Sequence, residues 1–202
     1  MKNTFLFSSL LLALLAGCGQ SARVSDASEA NFAQALHVYL AKRGDLCVNR
    51  GSWPIDITRE EAAQGSRNSV QLPVLERLGL VRSTAVEHSG ARRYELTDAG
   101  RTYYLARAPY KHDPGHPVAD HDFCAAHLSL KRVVRWDPPS AQTPGAETVV
   151  TYTYDIAPAP WTSDAEARRV FPMVDRVLRG AGSMELKETM VLTAGGWEAK
   201  DL

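Results

Sequence analysis

Three segments near the C-terminus alternate apolar and polar residues with a period of two, and they constrain the fold more tightly than any other part of the chain. Leu128, Leu130, Val134 and Trp136 share one face of the first, which Arg132 interrupts. Val150, Tyr152, Tyr154 and Ile156 share a face of the second; Met184, Leu186, Met190 and Leu192 share one in the third. Lys131, Thr151, Asp155, Glu185 and Lys187 take the opposite positions. Successive side chains of a strand point to opposite faces, so this pattern predicts three half-buried antiparallel strands. The proline-rich stretch from Asp137 to Ala146 reads as a long hairpin tip. Between the second and third strands, Ser163-Asp164-Ala165-Glu166 has capping-box form, and Val170, Val174, Val177 and Leu178 recur behind it at helical spacing. A break is expected at Phe171-Pro172 and a stop at Gly180. The expected unit is an antiparallel β-β-α-β arrangement over residues 123–202, with its apolar strand face beneath this helix.

The first half carries local signals of a different kind. Ser28 can cap a helix in which Phe32, Leu36, Tyr39 and Leu40 recur at helical spacing, with Gly44 placed to stop it. Cys47 is expected in the following loop. Trp53-Pro54-Ile55-Asp56-Ile57 reads as a short edge strand, because Pro54 cannot donate to a ladder. Thr58-Arg59-Glu60-Glu61 is a capping box opening a short helix that ends near Gly65. A second helix is expected over Leu72 to Leu78, with Pro73 in its first turn, ended by Gly79. Leu80 to Val86 and Arg92 to Leu96 read as strands joined at His88-Ser89-Gly90, and Thr97 as the cap of a helix through Ala106.

Leu75-Glu76-Arg77-Leu78-Gly79-Leu80-Val81, followed by Arg93-Tyr94-Glu95-Leu96-Thr97-Asp98-Ala99-Gly100, resembles the end of the third helix, the wing and the next helix start of a winged helix-turn-helix. The resemblance covers about residues 29–106. It implies an α+β fold with a winged-helix-like unit over 28–106, a connecting loop over 107–122, and the β-β-α-β unit. In that family the third helix and wing usually bind DNA. Here Glu76 stands against Arg77 in place of a basic face, and no nucleic-acid partner is expected. The chain balances 23 basic against 23 acidic residues, whereas polyanion binding depends on clustered positive charge.

The N-terminal residues point outside the cytoplasm. Lys2 precedes an apolar run from Phe5 to Ala16, too short for a permanent membrane span and suited to an export signal. Leu15-Ala16-Gly17-Cys18 resembles the lipobox of bacterial lipoproteins. The resemblance implies a signal peptide over 1–17, a diacylglyceryl group and amino-terminal acylation on Cys18, and a tether over 18–27. It also implies attachment to the membrane through that lipid, since several buried acyl chains anchor stably where one does not. With Gly19 in place of Asp, the implied address is the periplasmic face of the outer membrane. The remaining cysteines, Cys47 and Cys124, form an even pair in an oxidising compartment, read as a disulfide joining the two halves or else as two separate buried thiols.

Chemistry is sparsely signalled. His112, His116 and His121 lie within ten residues among Asp113, Asp120 and Asp122, and imidazole and carboxylate can ligate zinc or nickel. Pro114, Gly115 and Pro117 break any regular helix that would align them, so the alternative is a solvated loop with turn-capping polar residues. There is no G-x-S-x-G elbow, no H-E-x-x-H and no phosphate-binding glycine loop. Trp53, Trp136, Trp161 and Trp197 can serve as a ligand platform or as core. The functional expectation is non-catalytic binding to another envelope component, as scaffold, assembly factor or inhibitor. A metal- or small-molecule-binding periplasmic lipoprotein is the alternative.

Overall fold

The structure, a computed structural model, describes residues 23–107 and 120–202. The fold is α+β. Helix α1 (Glu29–Arg43) begins at Ser28, whose hydroxyl accepts from the Asn31 N–H. Its C-cap, Gly44, packs so closely that a Cβ there would sit 2.4 Å from the Leu128 carbonyl oxygen. Strand β1 (Asp45–Cys47) follows directly. Next come β2 (Ile55–Ile57), α2 (Arg59–Ala63), α3 (Arg67–Arg77), β3 (Val81–Ala85) and β4 (Arg92–Leu96). The Thr58 box closes reciprocally, Thr58 accepting from the Glu61 N–H and Glu61 accepting from the Thr58 N–H. Strands β2, β4 and β3 form an antiparallel sheet in that order, which leaves β2 on an edge.

The remaining strands are β5 (Tyr104–Ala106), β6 (His121–Trp136), β7 (Glu147–Pro158), β8 (Glu185–Thr193) and β9 (Gly196–Ala199). They join β1 in a six-stranded antiparallel sheet ordered β1-β6-β7-β8-β9, with β5 also paired to β6. Helices α4 (Asp98–Arg101), α5 (Ala165–Val170) and α6 (Pro172–Gly180) complete the chain. No helix among the described residues is long and apolar enough to cross a membrane.

Two cores lie on either side of β1 and β6. In one, Phe32, Leu36 and Leu40 of α1 pack on Leu128, Val133, Val150, Tyr152, Met190 and Trp197. In the other, Leu72 and Leu75 of α3 meet Phe123, Trp161, Val170, Phe171 and Val174. Leu46 packs against both. Burial of each such side chain contributes roughly 1.5–3 kcal/mol toward offsetting chain entropy.

Several local expectations change. The apolar face of the large sheet lies beneath α1; α5 contacts α3, while α6 divides, Val174 joining the core that contains α3 and Val177 packing against that of the large sheet. Thus α1, adjacent to the N-terminal elements in sequence, serves the C-terminal sheet. The cap of α5 is Asp164, which accepts from the Ala167 N–H, while the Ser163 hydroxyl donates to the Pro160 carbonyl. Helix α3 starts five residues earlier than expected, because Ser66 caps it by accepting from the Ser69 N–H. Pro73 therefore sits inside the helix, on its exposed side, where water can satisfy the Ser69 carbonyl that lacks its helical donor. The helix expected through Ala106 stops at Arg101, and Tyr104–Ala106 pairs instead with His121–Phe123.

Strand β6 has register shifts between Leu130 and Arg132 and between Val133 and Arg135. The first bulge reverses the alternation, so Val133, not Val134, enters the core. The expectation that each strand is half buried also fails in β7, where Thr151 and Thr153 are buried opposite Tyr152 and Tyr154. Their neighbours across the sheet are Arg135, Lys187, Arg132 and Glu185, whose long stems can cover small side chains. Residues 23–27, expected as part of a free tether, are held: Asn31 Nδ2 donates to the Arg23 and Asp26 carbonyls, and Trp197 Nε1 donates to that of Ser25.

Candidate functional site

Cys47 and Cys124 face one another across β1 and β6 and form a disulfide, with a Cα–Cα separation of 3.8 Å. Cys47 therefore lies in a strand and not in a loop. The bond closes 77 residues of sequence separation, and it holds β1 against the sheet beside a recess of the described surface.

That recess is a groove of about 600 Å³ where three stretches of chain meet. Its floor runs from Leu46 to Asn49. One wall is α3, through Arg67, Val70 and Gln71; the other is the α5–α6 junction, Val170 to Val174. Phe171 and Pro172 turn the chain between the two short helices and bring Met173 to the rim. Val70 is 44% exposed and Met173 61%, large apolar groups that water covers at a cost. Among the described residues, Arg67 is the only ionisable side chain on the lining, Cys47 being disulfide-bonded. Its Nη2 donates to the Val48 carbonyl at 2.9 Å.

Behind the groove lies a buried polar network. Asp122 accepts from the backbone N–H groups of Asn49, Arg50 and Phe123, at 3.2, 2.6 and 2.7 Å. Arg50, only 5% exposed, donates to Asn68 Oδ1 and Gln71 Oε1. Gln71 in turn donates to the Val170 carbonyl, linking α3 to α5. Burial first, and then neighbouring Arg67, push the Arg50 guanidinium down to about 10, while Asp122 opposes the shift. Arg50 stays a cation at neutral pH, and the amide oxygens that receive it carry no charge. The groove thus combines apolar walls with local positive charge.

Of the histidines, His112 and His116 lie outside the described residues, as does Cys18. His121 opens β6, exposed, its ring stacked on Tyr104 at 5.1 Å. Among the described residues, no group of three or more His, Cys, Asp and Glu side chains is placed to hold a metal ion. The tryptophans divide between the two cores. Trp136 and Trp197 flank Phe32 at 5.2 and 5.1 Å, while Trp53 and Trp161 flank Phe123 at 6.4 and 5.7 Å. They make no common platform.

No family model, curated protein or solved structure matches this chain. The groove must therefore be read from its own chemistry. Sequence reasoning missed Arg50, Arg67 and Gln71, because an arginine in a polar loop or at a helix start normally reads as a solvated charge.

A half-buried acid lies beside the other core. Glu188 shares its parity in β8 with Leu186 and Met190 and faces α1. Burial raises its carboxyl pKa above the ordinary range and Asp201 adds to this, while hydrogen bonding with Tyr39 opposes it. Burial and Glu188 likewise keep the phenols of Tyr39 and Tyr152 protonated. An acid whose folded pKa is raised favours folding when protonated, so its ionisation costs stability as pH rises through the folded value. Glu188→Gln should therefore raise the urea midpoint at pH 8, with the gain disappearing below about pH 4.3, the ordinary glutamate value. A midpoint shift independent of pH would contradict this origin.

Proposed function

We propose that this chain is a lipid-anchored cell-envelope protein that acts by non-catalytic binding of another envelope component. The groove between α3, the α5–α6 junction and β1 is its binding surface. The observation that carries the reading is the apolar rim of Val70 and Met173 around a recess framed by rigid elements. In the same reading Cys18 carries the lipid, and the protein faces the periplasm from the outer membrane as a scaffold, assembly factor or inhibitor. Residues 28–106 are read as a winged-helix-like unit without nucleic-acid function. Support comes from the order β2, α2, α3, β3, β4, with β4 between the other two strands. Residues 123–202 are read as the β-β-α-β unit that this first unit docks against.

A second reading, a small-molecule-binding lipoprotein, is favoured by the groove's volume, which is within the roughly 300–1,000 Å³ range of small-ligand sites. The test of the first reading is a photoreactive side chain placed at Met173 or, as control, at Lys187 on the polar sheet face. Irradiation of intact envelopes should give a discrete protein adduct from the groove position only. Adducts of equal yield from both positions, or none, would contradict the assignment. Cys18→Ala should abolish incorporation of labelled palmitate; unchanged incorporation would remove the anchor from the proposal.

A further inference from the structure

We propose that the groove holds the tail of a single-chain anionic amphiphile, such as a fatty carboxylate, with its head group at Arg67. The inference rests on the small-molecule reading of the groove and names its ligand class. Leu46, Val48, Val70, Val170, Phe171 and Val174 offer a hydrocarbon lining that suits an alkyl chain; its polar members among the described residues are Asn49, Arg67 and Gln71, and Gln71 is already engaged by Arg50 and the Val170 carbonyl. No carboxylate among the described residues lies on that lining. Arg67, at the start of α3, donates to the neutral Val48 carbonyl, so its charge is available to a carboxylate ligand. Arg50 behind it adds a second positive charge, which the Asp122 carboxylate, held by three backbone N–H groups, partly offsets, so the balance beside Arg67 stays positive. The field at this end of the groove favours an anion and opposes a cation. The disulfide and the Gln71–Val170 link fix the floor and one wall to the other, so the recess is formed before a ligand arrives.

The test uses the full chain in phosphatidylcholine vesicles, photolabelled with a diazirine-bearing dodecanoate and mapped by mass spectrometry. Adducts are expected on residues 67–74 and 170–174. Unlabelled dodecanoate should compete about tenfold better than dodecanol, and better still than dodecyltrimethylammonium. Arg67→Glu should cut groove labelling about tenfold and Arg67→Lys should largely restore it, while Val70→Asp should abolish it. Val70→Asp changes an exposed rim position, so its loss of labelling is read independently of the Arg67–Val48 contact. Equal competition by all three amphiphiles would overturn the anionic preference and leave the small-molecule reading standing. Absence of adducts on both walls would overturn the proposal and that reading together.

Discussion

Phe32→Ala should lower unfolding free energy by about 3–5 kcal/mol, the cost of truncating a fully buried aromatic in a core that cannot collapse around the void. Phe32 has no exposed surface, and its ring is held between Trp136 at the end of β6 and Trp197 in β9. Tilted aromatic contacts of this kind add about 0.5–1.5 kcal/mol each beyond area burial. The effect also identifies what α1 packs on. If the helix belonged energetically to the three-stranded sheet, truncation would loosen β2–β4 and leave β8–β9 protected. Packing against Trp197 and Met190 requires that hydrogen-exchange protection fall in β8 and β9 as stability falls. A loss below about 1 kcal/mol, measured by urea unfolding, would contradict the packing described.

Replacing Cys47 and Cys124 together by Ala should cost about 2–4 kcal/mol, since the bond closes a long loop in the unfolded chain. Against a typical total of roughly 5–15 kcal/mol, that is enough to change the population of partly open molecules. The loop runs from β1 through the whole three-stranded sheet and back to β6. Its closure keeps the floor of the groove seated on the sheet edge, where β1 has only three residues of pairing. Local opening of β1 should therefore increase in the double variant, read as faster exchange at Leu46. An unchanged urea midpoint and unchanged exchange would show that the strand pairing alone secures β1.

Much of this architecture was legible because its signals are local. The Thr58 capping box, the cap at Ser28 and the stop at Gly79 require only residues three or four apart, and each acts where expected. Gly100 also has a nearby cause: a Cβ there would lie 1.9 Å from the Leu80 carbonyl oxygen, which explains the glycine that follows Leu96-Thr97. The even cysteine pair pointed to the disulfide from its count together with the oxidising compartment that the N-terminal residues lead one to expect.

What the sequence hid is tertiary. Helical spacing tells which face of α1 is apolar but not which sheet that face will cover. The bulge in β6 breaks the two-residue period at Lys131, so counting onward from Leu128 selects Val134 in place of Val133. Tyr104 and Leu105 suit a helix end as well as a strand, and pairing with β6 decides between them. The groove is the extreme case. It brings together residues 46–49, 67–71 and 170–174, three stretches that carry no common motif and acquire meaning only when folded. Arg50 is buried because Asn68 and Gln71 of α3 receive it, an arrangement that the loop containing Arg50 does not announce.

The most direct measurement for the central claim separates binding from folding at the groove rim. Val70 and Met173 are exposed, so Val70→Asp/Met173→Asp should change stability by no more than about 1 kcal/mol. The double variant is combined with a photoreactive side chain at Asn49, on the groove floor, and adduct yield is compared with the parent chain in intact envelopes. The account predicts a near-parental melting temperature together with loss of the adduct. Undiminished adduct formation in a variant that melts like the parent would contradict the groove as the binding surface.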